Sequence, residues 1–234
     1  IRDAGFYLEQ ARLQELRGDL ESAMQSCSAA LGEDPMRLDA WLGQLWLLYE
    51  LEEFREADMW AGKALGQFPD NPSILALRGA ARYRMGFKNE ARDLSDTALE
   101  GRDETDTVWL CRAEVMFESS RAAAEQCFVH ARRVSRTPAL TQLRLAGICV
   151  RHGCSRVAME QLEELVVRES KAARAWYLLG VAQESLGLLR QAKTSFEAAV
   201  QLVPGDPTYV AALRSAGVGF GGKISGFVRR VFNR

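Results

Sequence analysis

Cys127 and His130 lie three residues apart, as do Cys149 and His152, with Cys154 close behind. Two Cys–His pairs at helical spacing, carried by neighbouring helices, are the donor set of a Cys2His2 zinc site. The competing reading is packing, because buried cysteine commonly behaves as a small apolar residue. Cys149 sits at a core position and His152 and Gly153 read as a turn, which favours packing and no metal. No other constellation points to catalysis. There are two histidines, and neither sits beside a Ser or Cys with a carboxylate partner. No G-x-x-x-x-G-K-[ST] run occurs, and Gly219, Gly221 and Gly222 follow a helix rather than a strand, so no phosphate cradle is expected. Glu52–Glu53 and Glu163–Glu164 read as solvated faces. Arg132, Arg133 and Arg136, with Arg144 and Arg151 near them, form a basic ridge that is either solvated or meets an acidic partner or RNA. These residues lead to the expectation of no enzyme and no cofactor.

The elements that carry them are read from the whole chain of 234 residues, long enough for a sizeable core. Six prolines are few, and Ala, Leu, Glu and Arg dominate, so helix is favoured. Thirty Lys plus Arg against 31 Asp plus Glu give a net charge of −1, which makes nucleic acid an unexpected partner. Five cysteines are an odd number in a chain too large to need disulfide staples, so a reducing, cytoplasmic compartment is expected. No segment reads as a signal peptide or a membrane span. A first residue of isoleucine leads to the expectation of a fragment, with targeting or catalytic segments in the flanks.

A pattern of about 34 residues recurs six times, over 4–37, 38–71, 72–105, 106–138, 139–172 and 173–206. The sixth copy is the clearest, with Trp176, Leu179, Gly180, Gly187, Ala192, Phe196, Ala199 and Pro204. Trp176, Leu179 and Gln183 share one helical stripe, and Ala192, Phe196 and Ala199 share another. Gly180 and Ala192 are small enough for two helix backbones to approach. Gly187 suits a left-handed helix end and Pro204 a stop. Each copy therefore reads as a hairpin of helix A and helix B. One hairpin cannot cover both of its apolar stripes, so stacked neighbours must.

The spacing resembles the tetratricopeptide repeat, whose signature is W-x2-L-G-x2-Y, then A-x3-F, then A and P. The fourth and fifth copies depart most: Ser119 and Ser120 replace the turn Leu-Gly, and no proline closes the fifth. The resemblance implies an all-α, right-handed superhelical solenoid of helix-turn-helix repeats, with 207–217 as a C-terminal capping helix. It also implies that the second, fifth, ninth and twelfth positions of each helix A point to a concave face. Here these include Leu42, Trp46, Tyr49, Ala76, Ala80, Tyr83, Leu110, Glu114, Phe117, Leu143, Gly147, Val150, Tyr177 and Val181. Leu42, Trp46, Tyr49, Tyr83, Phe117 and Tyr177 are the expected contacts for a peptide or helix of a partner protein, aromatics being frequent hot spots. Packing between neighbouring helices is the other reading of the same residues. The lysine–asparagine clamp by which some relatives hold chaperone tails is missing: the fifth positions are Leu8, Leu42, Ala76, Leu110, Leu143 and Tyr177.

Residues 218–234 read as a glycine-rich hinge and a short basic amphipathic helix. Ile224, Phe227, Val228, Val231 and Phe232 form its apolar side, and Lys223, Arg229, Arg230 and Arg234 its charged side. Three roles stand open: weak contact with a membrane surface, docking to a partner or a second copy in self-association, or folding back on the repeats.

Overall fold

The computed structural model describes residues 2–101 and 104–218. The tail residues Ile224, Phe227, Val228, Arg229, Arg230, Val231 and Phe232 lie outside the described residues. Among the described residues there are thirteen α-helices and no strand. They run as pairs: α1 (Ala4–Arg17) with α2 (Leu20–Glu33), α3 (Leu38–Glu50) with α4 (Phe54–Gln67), and α5 (Pro72–Arg84) with α6 (Lys88–Glu100). Next come α7 (Asp106–Met116) with α8 (Arg121–Val134), α9 (Pro138–Arg151) with α10 (Ser155–Arg168), and α11 (Ala173–Ser185) with α12 (Leu189–Leu202). α13 (Pro207–Val218) ends the described chain. Odd numbers are helix A of a copy and even numbers helix B.

Local chemistry starts and stops these helices. Asp19, Asn71, Thr105 and Ser120 cap α2, α5, α7 and α8 by accepting backbone N–H bonds, and Pro72 opens α5. Gly187 turns α11 into α12 at φ +77°, a conformation that costs glycine little. In the second copy the corresponding turn is made by Glu52 at φ 63°, which offers its carboxylate to Arg84 at 3.7 Å. Glu52 is therefore a turn residue with an ion-pair partner rather than part of a solvated face. Glu164 likewise accepts from Gln142 Nε2 at 2.8 Å.

The two helices of a hairpin approach at small residues. A side chain added at Gly180 would put Cβ 2.5 Å from Phe196 Cε1, and one at Gly79 would put it 3.2 Å from the Ala91 carbonyl. The tryptophans near the start of helix A do more than fill space. Trp41 Nε1 donates to the Pro35 carbonyl at 2.9 Å, and Trp176 Nε1 to that of Ser170 at 3.0 Å, tying helix A to the turn before it. Helix B buries a single stripe, such as Ala57, Ala61 and Ala64 on α4 or Ala192, Ser195, Phe196 and Ala199 on α12. α11 is buried nearly all round: every residue from Tyr177 to Gln183 is inside.

The chain divides into two compact units. The first holds Ile1–Glu15 and Asp19–Thr141; the second holds Leu16–Gly18 and the described residues from Gln142. Polar side chains stitch successive copies within the first. Ser73 and Thr105 hydroxyls bond at 2.8 Å, and Arg112 reaches Ser95 and Asp96. In the second, Ser195 Oγ donates to Gln183 Oε1 at 2.7 Å beneath the surface. There α13 lays Tyr209 on Tyr177, ring centroids 5.1 Å apart, and buries Tyr209 and Ala212. Val210 and Leu213 of the same helix stay half-buried. The Tyr209 hydroxyl also donates to the Arg17 carbonyl at 3.0 Å, so contacts in this unit are not confined to adjacent copies.

Candidate partner-binding face

Function is sought on helix A at positions that the hairpin contact does not occupy. Of the six expected contact residues, four are packed into the interior: Trp46 is 1% exposed, Tyr49 3%, Tyr83 8% and Tyr177 7%. Leu42 and Phe117 are half-buried. The surrounding inward positions Ala76, Ala80, Leu110, Glu114, Leu143, Val150 and Val181 are buried as well. For these four residues the burial fits the packing reading. The rings are taken up by neighbours: Trp46 by Tyr49 (centroids 5.7 Å), Tyr49 by Phe54 (5.7 Å), Phe117 by Phe128 (5.8 Å) and Tyr177 by Tyr209. Large flat side chains bury more area than most others, so internal contacts compete strongly for them. Desolvation pushes the phenols of Tyr83 and Tyr177 up to about 12, with the carboxylates of Glu118 and Asp206 respectively adding to it.

Charged side chains on the same helices form a network with no counterpart in the local sequence pattern. Asp58 of α4 accepts from Arg78 Nε at 2.7 Å and Arg82 Nε at 2.8 Å, both on α5, and Arg82 continues to Glu90. Arg84 lies 5.0 Å from the centroid of the Phe54 ring and reaches Glu114 Oε1 at 3.5 Å. Burial alone would raise the Asp58 pKa, but the hydrogen bonds and charges of Arg82 and Arg78 outweigh it, and the carboxyl titrates below its ordinary 3.8. A lowered folded-state pKa stabilises the fold above the unfolded-state value, and that stability is lost as pH falls through the folded value. Asp58→Asn is expected to cost about 1–2 kcal/mol at neutral pH, and that cost should shrink as pH falls from the unfolded-state value through the lowered folded one, read as urea midpoints along an acid series.

The groups considered for a metal are put to other use. Cys127 is buried, and burial pushes its thiol up despite the nearby Arg112 charge. His130 stacks on Trp109 with centroids 4.4 Å apart and planes 18° apart. Cys154 Sγ donates to the His152 carbonyl at 3.8 Å. Among the described residues no three His, Cys, Asp or Glu side chains gather where they could hold a metal ion. No described helix is long and apolar enough to cross a membrane. The basic ridge of Arg132, Arg133 and Arg136 is exposed at the end of α8, where cations suit the helix dipole.

Helical hairpins joined by short turns define a helical-repeat architecture. A family model for the tetratricopeptide repeat matches residues 150–207. Over those residues the chain is similar to the tetratricopeptide repeat. Solved structures agree on the fold. The APC/C hetero-tetramer Cut9–Hcn1 matches with a TM-score of 0.55 at 15% identity, over 92% of this chain and 43% of that one. This chain thus spans less than half the length of that neighbour. TTC0263, a thermophilic repeat protein of Thermus thermophilus, matches at 0.60 and 18% identity, over 76% of this chain and 97% of that one. The C-terminal part of a repeat protein from Cytophaga hutchinsonii matches at 0.51 and 15%, over 75% and 69%. No curated protein matches by sequence.

Proposed function

We propose that the chain is a non-catalytic scaffold that takes a segment of a partner protein against its A helices. Leu42 and Phe117 are the contact positions, and Trp46, Tyr49, Tyr83 and Tyr177 are the packed support beneath such contacts. The observation that carries this reading is that α11 is inside at every residue from Tyr177 to Gln183, where α12 buries only one stripe. Helix A thus holds apolar surface beyond what its own hairpin needs, and Leu42 and Phe117 are where part of it stays accessible. An odd number of cysteines, all buried as packing residues, suits a reducing compartment such as the cytoplasm.

A photo-reactive amino acid placed singly at Leu42 or Phe117 should cross-link a partner chain in cell extract. Probes at Met59 and Val129, exposed on α4 and α8, should not. Cross-links confined to Met59 and Val129 would move the binding surface to helix B and reject this reading.

A further inference from the structure

We propose that Ser135 is a phosphorylation site for an arginine-directed serine kinase, and that its phosphate unties the α8–α9 turn from α7. Residues 132–135 read Arg-Arg-Val-Ser. Kinases of this class read charge: carboxylates in their peptide groove pair with arginines two and three residues before the acceptor hydroxyl. Arg133 and Arg132 stand at those two places, and both are exposed. Arg136 and Thr137, just after the serine, are exposed as well, and Ser135 itself is half-buried.

The backbone there is already out of the helix. α8 ends at Val134, and Ser135 leaves it extended, at φ −65° and ψ 133°. In α2, α4, α10 and α12 the residue after the helix still donates its N–H back into the last turn. Ser135 opens the short link to Pro138, where α9 begins. Such links open locally more readily than the helices they join, which is how the serine reaches a kinase.

The hydroxyl holds a junction of three elements. Ser135 Oγ donates to Asp106 Oδ2 at 3.1 Å, accepts from the Thr137 N–H at 3.1 Å and lies 2.6 Å from Thr141 Oγ1. Thr141 is 1% exposed and also bonds to Asp106. The first turn of α7, the α8–α9 link and the first turn of α9 thus meet at one oxygen, all within the first unit.

In the transfer, Ser135 Oγ attacks the γ-phosphorus of ATP. The bond from that phosphorus to the β–γ bridging oxygen breaks, ADP leaves with its electron pair, and the serine proton passes to the kinase's base. The resulting ester oxygen has no hydrogen to donate to Asp106. The phosphate also brings a charge of about −1.5 to −2 beside the Asp106 carboxylate, and the two repel. Arg132, Arg133 and Arg136 offer the phosphate partners on the exposed side. The phosphorylated turn therefore swings off Asp106 toward solvent.

The folded 234-residue chain, incubated with ATP and a purified arginine-directed serine kinase and read by mass spectrometry, should carry one phosphate on Ser135. Arg132→Gln with Arg133→Gln should slow its formation about tenfold or more, and Ser135→Ala should abolish it. In the phosphorylated chain the amides of Val108, Trp109 and Thr141, bonded in the first turns of α7 and α9, should exchange hydrogen about tenfold faster. Phosphate on Thr137 instead would overturn the proposal. So would phosphate on Ser135 in a peptide of residues 129–139 but not in the folded chain, a rate indifferent to the arginine pair, or unchanged exchange after phosphorylation.

Discussion

Replacing Trp46 with alanine is expected to lower the stability of the first unit by about 3–5 kcal/mol, seen as a drop in urea midpoint. The indole is 1% exposed and packed beside Tyr49 with the rings tilted, so its loss removes a large apolar contact and leaves a cavity. The size of the effect bears on function. An exposed binding residue would cost little stability when truncated, typically within about half a kcal/mol. A Trp46→Ala chain that keeps its midpoint and loses partner capture would place the indole on the binding surface. A large loss of stability makes it part of the support beneath Leu42 and Phe117, and capture must then be probed at those two positions.

Phe196→Ala should have a comparable effect in the second unit, again about 3–5 kcal/mol. Phe196 is fully buried and fills the space above Gly180 and beside Tyr177, at 6.1 Å between rings. With the ring gone, α12 loses the contact that sets its distance from α11. Unfolding followed by the near-ultraviolet signal of Trp176, on α11, should report the loss at the lower denaturant concentration.

The hairpins were legible because their residues are set by geometry between sequence neighbours. Gly180, Gly187, Ala192 and Phe196 each answer a local demand: close approach, a left-handed turn, close approach again, a filled gap. The burial of Trp46, Tyr49, Tyr83 and Tyr177 was legible only as one of two readings. Spacing says which face of helix A a residue occupies, and not what covers that face. The Asp58–Arg78–Arg82 network was hidden for a related reason: its partners are 20 and 24 residues apart, outside any helical period. Glu52 at positive φ was hidden because the other turn positions led to an expectation of glycine. The contact of Tyr209 with the Arg17 carbonyl joins places too far apart for any repeat pattern to announce.

The central claim is that the sixth hairpin closes through the small Gly180 of α11 set against Phe196 of α12. A double-mutant cycle on Gly180→Ala and Phe196→Leu measures it most directly. Gly180→Ala alone should cost about 1–3 kcal/mol, because its methyl meets the Phe196 ring. In the Phe196→Leu background that cost should shrink by at least about 1 kcal/mol, since the obstructing ring is gone. Additive effects of the two substitutions would mean that they do not meet, and would contradict the closure of the α11–α12 hairpin on which the repeat register rests.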